Sequence, residues 1–430
     1  MDYQRRILDD QLDELFPHIP AIAIDGVKAV GKSTTAEQRV RSVINLDDTA
    51  QREAVLADPE SILLRETPLF VDEWQKVPAV WDTIRRAVDR DPSGGRFLLA
   101  GSASPAPGAT AHSGAGRIGR LRMRPMTLSE RGHHTAVSLA ELLHGGARVA
   151  GSSDLRLVDY AREIVNTGFP AMRGLPDGPR KFQLDSYLHN VVDRDVPEAG
   201  LAVRRPDALL RWLRAYSAAS ATTANYAQIL DAATPSESEK PARSTSVAYR
   251  EVLTQLWLLD PIPAWQPMGS ALNRLQQAPK HHLADPGLAA RLLGLTVDSL
   301  VDGQGSIVGA HSGTMLGHLF ESLAALCVRV AASAVGASVG HLRTRNGDHE
   351  IDMVVVRDDG HVLPIEVKLS STVGDSDTRH LRWLAERLGD KVIDKIILNT
   401  GPEAYRRRDG VAVIPLSLLG PWPAPSAPSQ

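Results

Sequence analysis

The stretch AIAIDGVKAVGKSTT, residues 21–35, decides the fold of this chain of 430 residues. It starts as an apolar run and ends in a Gly-Lys-Ser turn, which predicts a buried β-strand, a loop and the first turn of a helix. The residues that fit the spacing G-x-x-x-x-G-K-[ST] of a phosphate-binding loop are Gly26, Gly31, Lys32 and Ser33. The stretch therefore predicts an α/β domain with a parallel sheet that binds ATP.

The residue types of this loop suit a triphosphate. Glycine lets the backbone curl so that its N–H groups converge on phosphate oxygens. Lys32 can reach the β- and γ-phosphates, and the Ser33 hydroxyl can ligate Mg²⁺. The residues predicted to line the nucleotide are Gly26, Val27, Lys28, Ala29, Val30, Gly31, Lys32, Ser33 and Thr34. The alternative is a glycine-rich turn between strand and helix that binds nothing.

A second apolar run, LFVDE at residues 69–73, ends in two acids. This pattern is typical of the strand that completes a magnesium nucleotide site. Asp72 is predicted to hold Mg²⁺, directly or through water, and Glu73 to polarise the attacking water. The alternative is a buried strand that runs into a polar loop.

Polar residues after the next strands are predicted to face the γ-phosphate. RFLLAG at residues 96–101 is a strand followed by Ser102 and Ser104, which are candidate phosphate sensors or ordinary turn serines. Arg117 and Arg120 are candidates for an arginine that neutralises the transferred phosphoryl group, with solvated arginines as the alternative. Such an arginine supplied by a neighbouring subunit would require a homo-oligomer.

Length and composition limit the class of protein. At 430 residues two to four domains are expected, and 43% hydrophobic with 23% charged residues is globular. A net charge of −3 means that any contact with nucleic acid must be a local patch. Aromatic residues make up 5%, which argues against a surface built on base stacking.

Cysteine usage and hydropathy predict a cytoplasmic protein with no membrane contact. Cys327 is the single cysteine, so neither an intrachain disulfide nor a cysteine-rich zinc site can form. Residues 1–20 carry many charges and lack an apolar signal region. The most apolar later stretch, residues 315–340, is interrupted by Glu321 and Arg329, which predicts a buried helix and strand.

The middle of the chain is helical in pattern. Residues 129–201, broken at 166–170, are predicted to form the lid of the ATPase, where Arg194 would reach nucleotide or form an ion pair between lid and core. Residues 206–265 predict three helices and a strand, the order of a winged helix. The third helix lacks a basic face, so packing or partner binding is favoured over reading DNA. The adjacent His281 and His282 should point to opposite sides and share no metal ion.

The last third predicts an acidic constellation on a hairpin. EIDMVVVR at residues 350–357 and VLPIEVK at 362–368 are strands joined by Asp-Asp-Gly. Strand alternation places Glu366 and Lys368 on one face, and Asp352 on the partner strand can lie beside Glu366. With Glu321 from the preceding helix, Asp352 and Glu366 could hold Mg²⁺ or Mn²⁺. Lys368 would then orient the attacking hydroxide.

These motifs together resemble a known family. GVKAVGKST, FVDEWQ, LLAGSAS, a loop containing Gly-Arg before RPMTLSE, and PIEVK resemble AAA-type ATPases of bacteria and archaea fused to a C-terminal nuclease-like module. The resemblance covers about residues 22–370 and implies an ATP-binding AAA core. The order helix–strand–strand–strand–helix–strand at the end resembles the PD-(D/E)XK nuclease fold. Glu350-Ile351-Asp352 stands where that fold has a Pro-Asp pair.

The predicted organisation has five parts: an AAA-type ATPase core, a helical lid and connector, a winged-helix-like region, a PD-(D/E)XK-like domain and a disordered tail, at residues 1–128, 129–204, 205–300, 301–420 and 421–430. Two functions stay open. ATP hydrolysis is coupled to cleavage of nucleic acid at Asp352, Glu366 and Lys368, or the chain is an ATP-dependent switch that binds DNA or a protein partner without cleavage. DNA is favoured over RNA as the nucleic acid. In the second case the C-terminal acids would form a structural ion-pair cluster.

Overall fold

The computed structural model describes residues 3–103, 113–234, 242–267, 278–303, 314–344 and 347–422. The predicted sensor Ser104 and nearly all of the predicted tail lie outside the described residues. Pro421 is buried, and its carbonyl accepts a hydrogen bond from the Ala140 amide. The packed chain therefore continues past residue 420, where we placed the end of the last domain.

The first third of the chain forms a parallel sheet with helices on both faces. Its elements are α1 Ile7–Leu15, β1 Ala21–Asp25, α2 Lys32–Glu37, β2 Ser42–Asn45, α3 Thr49–Ala57, β3 Leu69–Asp72, α4 Ala79–Arg90, β4 Phe97–Gly101 and β5 Ile118–Arg122. Among the described residues the strand order is β2-β3-β4-β1-β5, and every neighbouring pair is parallel. The carboxyl ends of these strands therefore meet at one edge, where ligands of open α/β sheets bind.

The two faces of β1 enter different parts of the core, which explains its apolar sequence. Ile22 and Ile24 belong to the cluster that contains Leu12 of α1 and most of the lid and C-terminal core. Ala21 and Ala23 face a second cluster, built with α4 and the other side of the sheet. Burial on both faces fixes the strand, so the loop after Asp25 starts from a rigid position.

The predicted lid region forms helices and also two short strands. Its elements are β6 Val137–Ser138, α5 Leu139–Leu143, β7 Gly151–Ser152, α6 Leu157–Val165, α7 Pro170–Arg173, α8 Asp177–Asn190, a π-helical turn Val191–Asp195 and α9 Val196–Glu198. Both strands pair with the C-terminal part of the chain rather than with the ATPase sheet. Sequence reasoning missed them because strands of two residues carry no periodicity.

The middle region contains α10 Pro206–Ala218, α11 Tyr226–Ala232, α12 Arg243–Gln255, α13 Pro286–Leu292 and α14 Val297–Val301. After α12 the chain runs extended, and Leu259 and Ile262 form antiparallel bridges to Leu283 and Lys280. The predicted order of three helices and an extended segment is present. The assignment to a winged helix stays a prediction.

The C-terminal part forms a mixed sheet beside a long helix. Its elements are α15 Met315–Ala334, β8 Ser338–Arg343, β9 Glu350–Val356, β10 Val362–Val367, α16 Arg379–Leu388, β11 Ile396–Asn399, β12 Glu403–Arg406, β13 Ala412–Pro415 and β14 Leu419–Gly420. In the described chain the sheet order is β7-β12-β13-β11-β10-β9-β8. The predicted hairpin is present, with Val356 opposite Val362. The predicted element order is therefore confirmed, while the nuclease fold itself stays a prediction.

Helix α15 joins this sheet to the rest of the molecule. It is the one helix of the described chain whose length and composition would allow it to cross a membrane, and 72% of its most apolar window is buried inside the protein. It packs against α1, α6, α13 and β8. The predicted buried helix and strand at residues 315–340 are thus present.

Candidate functional site

The predicted phosphate-binding loop lies between β1 and α2, and its backbone needs glycine. A Cβ atom on Gly26 would lie 2.3 Å from the carbonyl oxygen of Met123, so no larger residue fits there. Gly31 has a φ of +104°, in the left-handed region that glycine adopts without strain. Ala29 between them also has a positive φ, of 64°. The loop thus has the tight curl that the sequence predicts.

Lys32 is buried beneath this loop. Its Nζ donates hydrogen bonds to the carbonyl oxygens of Gly26, at 2.8 Å, and Val27, at 3.0 Å. Burial lowers the pKa of Lys32 to about 8, although Glu73 and Asp72 oppose this shift. The ammonium group is therefore held by weak carbonyl acceptors that an anionic phosphate can replace.

The structure brings Ser33 and Asp72 together, as predicted. The Ser33 hydroxyl donates to Oδ2 of Asp72 at 2.7 Å, and burial raises the pKa of Asp72. A hydroxyl and a carboxylate are hard oxygen donors, and Mg²⁺ usually takes one or two such protein ligands beside phosphates and water. The pair therefore fits Mg²⁺. The role of Ser33 and Asp72 as its ligands stays a prediction.

Glu73 lies at the same edge, with its carboxylate fixed by neighbours. The Ser102 hydroxyl donates to Glu73 Oε2 at 2.8 Å, and the Gln75 amide donates to the same oxygen. Glu73 has a φ of +51°, an uncommon conformation for a non-glycine residue. The predicted sensor Ser102 thus orients the predicted catalytic acid, since it follows β4, which lies between β1 and β3.

The two predicted finger arginines form ion pairs within this chain. Arg117 contacts Asp89 at 2.9 Å on the surface. Arg120 contacts Asp25, the last residue of β1, also at 2.9 Å. Arg120 is therefore next to the start of the phosphate-binding loop. A role of either arginine in a neighbouring subunit stays a prediction.

An ion pair does connect the core to the predicted lid, but through a different residue than expected. Lys28 of the loop pairs with Asp195, and the Tyr187 hydroxyl donates to the Lys28 carbonyl at 3.5 Å. Arg194, which we predicted for this contact, is exposed. The π-helical turn at 191–195 buries Asp195 and leaves Arg194 exposed.

The N-terminal helix fixes the loop from the other side. Nη1 of the buried Arg6 donates to the Val30 carbonyl at 3.0 Å, and its Nε contacts Glu130 at 3.0 Å. Nη2 also donates to the Arg124 carbonyl at 2.7 Å. Sequence reasoning missed Arg6, because nothing local shows that an arginine beside an amphipathic helix is buried.

A buried carboxylate joins the ATPase sheet to α15. Asp260, in the extended segment after α12, contacts Arg124 at 2.7 Å, Arg329 at 2.9 Å and Arg122 at 3.3 Å. Burial alone would raise the pKa of Asp260, but the three arginines outweigh it and hold the pKa well below its usual range. We call these four residues the Asp260 cluster. No local pattern in the sequence indicates it.

The three predicted residues of the C-terminal site do come together. Asp352 Oδ2 accepts a hydrogen bond from the Val367 amide at 2.8 Å, and Lys368 contacts Glu366 at 2.9 Å. Burial, with a further contribution from Asp352, raises the pKa of Glu366 to about 8. The buried Glu366 Oε1 has no hydrogen-bond partner among the described residues.

An unpredicted lysine occupies the middle of these acids. Lys280 is 1% exposed, and its Nζ contacts Glu321 at 2.8 Å, Asp352 at 2.9 Å and Glu350 at 3.3 Å. We call these residues, with Glu366 and Lys368, the Lys280 cluster. Within the described ranges no group of three or more His, Cys, Asp or Glu side chains is placed to hold a metal ion.

The metal role of Asp352 and Glu366 stays a prediction, and this geometry does not favour it. A metal site needs free carboxylate oxygens, whereas here a buried ammonium group already contacts Asp352. The structural ion-pair cluster, which the sequence left open, fits better. His281 and His282 have separate partners, the Ala224 carbonyl and the Ser322 hydroxyl, as expected of histidines that share no ion.

Comparison with known families divides the chain into three parts. Residues 18–131 match an AAA domain, residues 157–299 match a domain of unknown function, DUF8612, and residues 316–419 match another, DUF4143. The N-terminal part is an AAA-type ATP-binding domain. The DUF8612 match covers both the predicted lid and the predicted winged-helix region, so it crosses the boundary that we placed at residue 204.

The chain is also similar to whole proteins. Two uncharacterized mycobacterial proteins, Mb2031c of Mycobacterium bovis and Rv2008c of Mycobacterium tuberculosis, are each 26% identical over 419 residues, which is 96% of this chain and 83% of theirs. Two solved structures, when superposed on this chain, each give a TM-score of 0.26. AMPPCP-bound DnaA from Aquifex aeolicus is 14% identical, with 58% of this chain and 91% of that one covered. A mutant of RuvB from Thermotoga maritima is 16% identical, with 59% and 87% covered.

Proposed function

We propose that this chain hydrolyses ATP and uses its nucleotide state as a switch that acts on the C-terminal part. The observation that carries the proposal is the arrangement at the edge of the ATPase sheet. Ser33 contacts Asp72, and the neighbouring Glu73 is oriented by Ser102. Loop, acids and sensor come from three adjacent parallel strands, which is the arrangement that ATP hydrolysis needs.

Each residue then has a defined role. Lys32 exchanges the loop carbonyls for the β- and γ-phosphates. Mg²⁺ held by Ser33 and Asp72 would neutralise charge on the phosphates. Glu73, which Ser102 and Gln75 hold in place, orients the water that attacks the γ-phosphate.

Three variants of the full-length chain test this assignment. Lys32→Ala should abolish ATP binding, while Glu73→Gln should bind ATP and lose at least about 100-fold in kcat, as expected when a general base is removed. Glu53→Gln, an exposed acid on α3, is the matched control and should hydrolyse ATP at the wild-type rate. Equal steady-state rates in all of these proteins would refute the site.

The contact that supports coupling is the Asp260 cluster. Arg122 lies opposite Asp25 on β1, while Arg329 lies on α15 of the C-terminal part, and both contact Asp260. A change at the nucleotide edge of β1 therefore has a direct contact route to α15. Hydrogen exchange of α15 should differ between the ATP-bound Glu73→Gln protein and the ADP-bound wild type. Identical exchange would exclude coupling through this route.

The proposed partner of the switch is nucleic acid, with DNA favoured over RNA. A protein partner is the other candidate. Binding of labelled DNA and RNA should depend on ATP, and its dependence on salt should report the number of phosphate contacts. Equal binding and equal oligomeric state with ATP and with ADP would exclude a nucleotide switch of this kind.

Cleavage of nucleic acid is the second candidate. The meeting of Asp352, Glu366 and Lys368 favours it, whereas the contact of Lys280 with Asp352 opposes it. The test is incubation of DNA and RNA with the protein and Mg²⁺ or Mn²⁺, with and without ATP. A nuclease at this site must lose activity in Glu366→Ala. If the variant and the wild type act alike on every substrate, cleavage at this site is excluded.

A further inference from the structure

The Lys280 cluster holds a cation of its own at the place where a nuclease would bind a metal ion. Lys280 comes from the segment 278–283, whereas its partners lie on α15 and β9 of the C-terminal part. Its ammonium group lies within 3.3 Å of three carboxylates. A lysine at 1% exposure is stable only with such partners, since a buried charge without them is costly.

The Lys280 cluster contains two lysines beside its four acids. Burial alone would lower the pKa of Lys280, but Asp352 and Glu321 outweigh it and raise the pKa well above its usual range. The second lysine, Lys368, contacts the buried Glu366 at 2.9 Å. The two lysines therefore place positive charge beside all four carboxyl groups.

Each carboxylate oxygen of Asp352 already accepts a hydrogen bond. Its Oδ1 accepts from Lys280 at 2.9 Å and its Oδ2 accepts from the Val367 amide at 2.8 Å. A divalent ion bound to Asp352 and Glu321 would share these two carboxylates with the ammonium group of Lys280, and the two cations would repel each other. The residues present therefore do not fit the metal that a nuclease-like fold implies.

We infer that Lys280 takes the place of a divalent metal ion in the C-terminal part and binds the segment 278–283 to β9 and α15 as an ionic lock. This lock makes the metal unnecessary for folding and keeps it from binding. The inference does not depend on ATP hydrolysis.

The test measures Mn²⁺ binding to the full-length chain without nucleotide. The paramagnetic signal of free Mn²⁺ reports how much of the ion is bound. The Asp72→Asn substitution is present in every protein, so that the nucleotide site does not contribute. While Lys280 is present, the proteins with and without Asp352→Asn should bind Mn²⁺ with the same titration curve. A Mn²⁺ site that is present with Asp352 and lost in Asp352→Asn would overturn the inference.

The added substitution Lys280→Ala should create a site. Mn²⁺ affinity should increase at least about 100-fold, because the repelling ammonium group is gone, and further addition of Asp352→Asn should remove that gain. A folded Lys280→Ala protein with no gain would also overturn the inference. If Lys280→Ala does not fold, the comparison of Asp352 with Asp352→Asn in the presence of Lys280 still decides it.

Discussion

Replacement of Asp260 by asparagine tests whether the Asp260 cluster ties the ATPase sheet to α15. The substitution keeps the shape of the side chain and removes its charge. Asp260 contacts Arg124, Arg329 and Arg122 at 2.7, 2.9 and 3.3 Å, and its side chain is 8% exposed. Asp260→Asn therefore leaves three partly buried guanidinium groups without their counter-ion.

The expected loss of stability follows from this burial. Removal of one partner of a buried ion pair costs about 3–5 kcal/mol, because the remaining charge is desolvated and unpaired. A loss of this size is a large fraction of the about 5–15 kcal/mol that stabilises a typical folded domain. The matched control is Asp359→Asn, which breaks a pair with Arg357 of 2.7 Å at the surface. Such an exposed pair contributes about 0–1 kcal/mol.

The effect should also depend on pH, and its sign is fixed. The arginines hold the pKa of Asp260 below its usual range in the folded chain. A carboxyl with a lowered folded-state pKa stabilises the protein above its unfolded pKa of about 4, and this contribution is lost as the pH falls toward the folded-state pKa. The difference in unfolding free energy between wild type and Asp260→Asn should therefore be constant at neutral pH and decrease below about pH 4.

The assay is urea unfolding of the full-length proteins, followed by far-UV circular dichroism between pH 3 and 7. Hydrogen exchange of α15 is measured in parallel, since coupling through the cluster predicts that Asp260→Asn weakens the ATP-dependent change in α15. An Asp260→Asn protein as stable as the Asp359→Asn control at pH 7 would refute the assignment of a buried counter-ion. A difference that does not change down to pH 3 would refute the pKa argument.

Three further substitutions test the nucleotide site and its supports. Ser102→Ala removes a hydrogen bond to Glu73 that is worth about 1.5–3 kcal/mol. The kcat for ATP should therefore fall about 10–100-fold, while KM stays within about threefold. An unchanged kcat would contradict the orienting role of Ser102. Asp195→Asn frees Lys28 from its ion pair, so ATP should bind about threefold tighter at low salt and less so at high salt. A titration with a fluorescent nucleotide measures the affinity, and the exposed control Asp193→Asn should show no change. Arg6→Leu breaks the buried pair with Glu130 and should lower the unfolding free energy, measured in urea, by about 3–5 kcal/mol. A loss of less than about 1 kcal/mol, the size expected of a surface ion pair, would contradict a stabilising buried pair.

The parts of the molecule that could be predicted from the sequence are those whose signal is local. The apolar run before Gly26 and the run that ends at Asp72 each indicate a buried strand, and their motifs indicate the kind of loop after it. The hairpin of β9 and β10 is also predicted from the sequence, because two strand-like runs flank a tight-turn signal. In each case the residues that interact lie within one element or its neighbour, so pattern and chemistry appear in the same short stretch.

The residues that sequence reasoning missed are buried charges whose partners lie far along the chain. Lys280 contacts Glu321 and Asp352, which are 41 and 72 positions away. Periodicity cannot show such a pairing, because burial of a lysine is set by tertiary contacts and not by its own neighbours. The sequence therefore predicts Asp352 and Glu366 as metal ligands without showing that the ammonium group of Lys280 lies beside Asp352.

The positions of three sets of ion pairs suggest where the molecule can change state. Lys28 with Asp195 joins the ATPase core to the lid, and the Asp260 and Lys280 clusters join the core and the middle region to the C-terminal part. Separation of either cluster leaves a buried unpaired charge, so both clusters stay closed, whereas Lys28 is 37% exposed and can exchange its partner. Only Lys28 lies in the loop that ATP would bind, and a triphosphate is an anion able to replace Asp195. Nucleotide should therefore act first on the joint between core and lid, while the Lys280 cluster, which already holds its own cation, should remain closed in both nucleotide states.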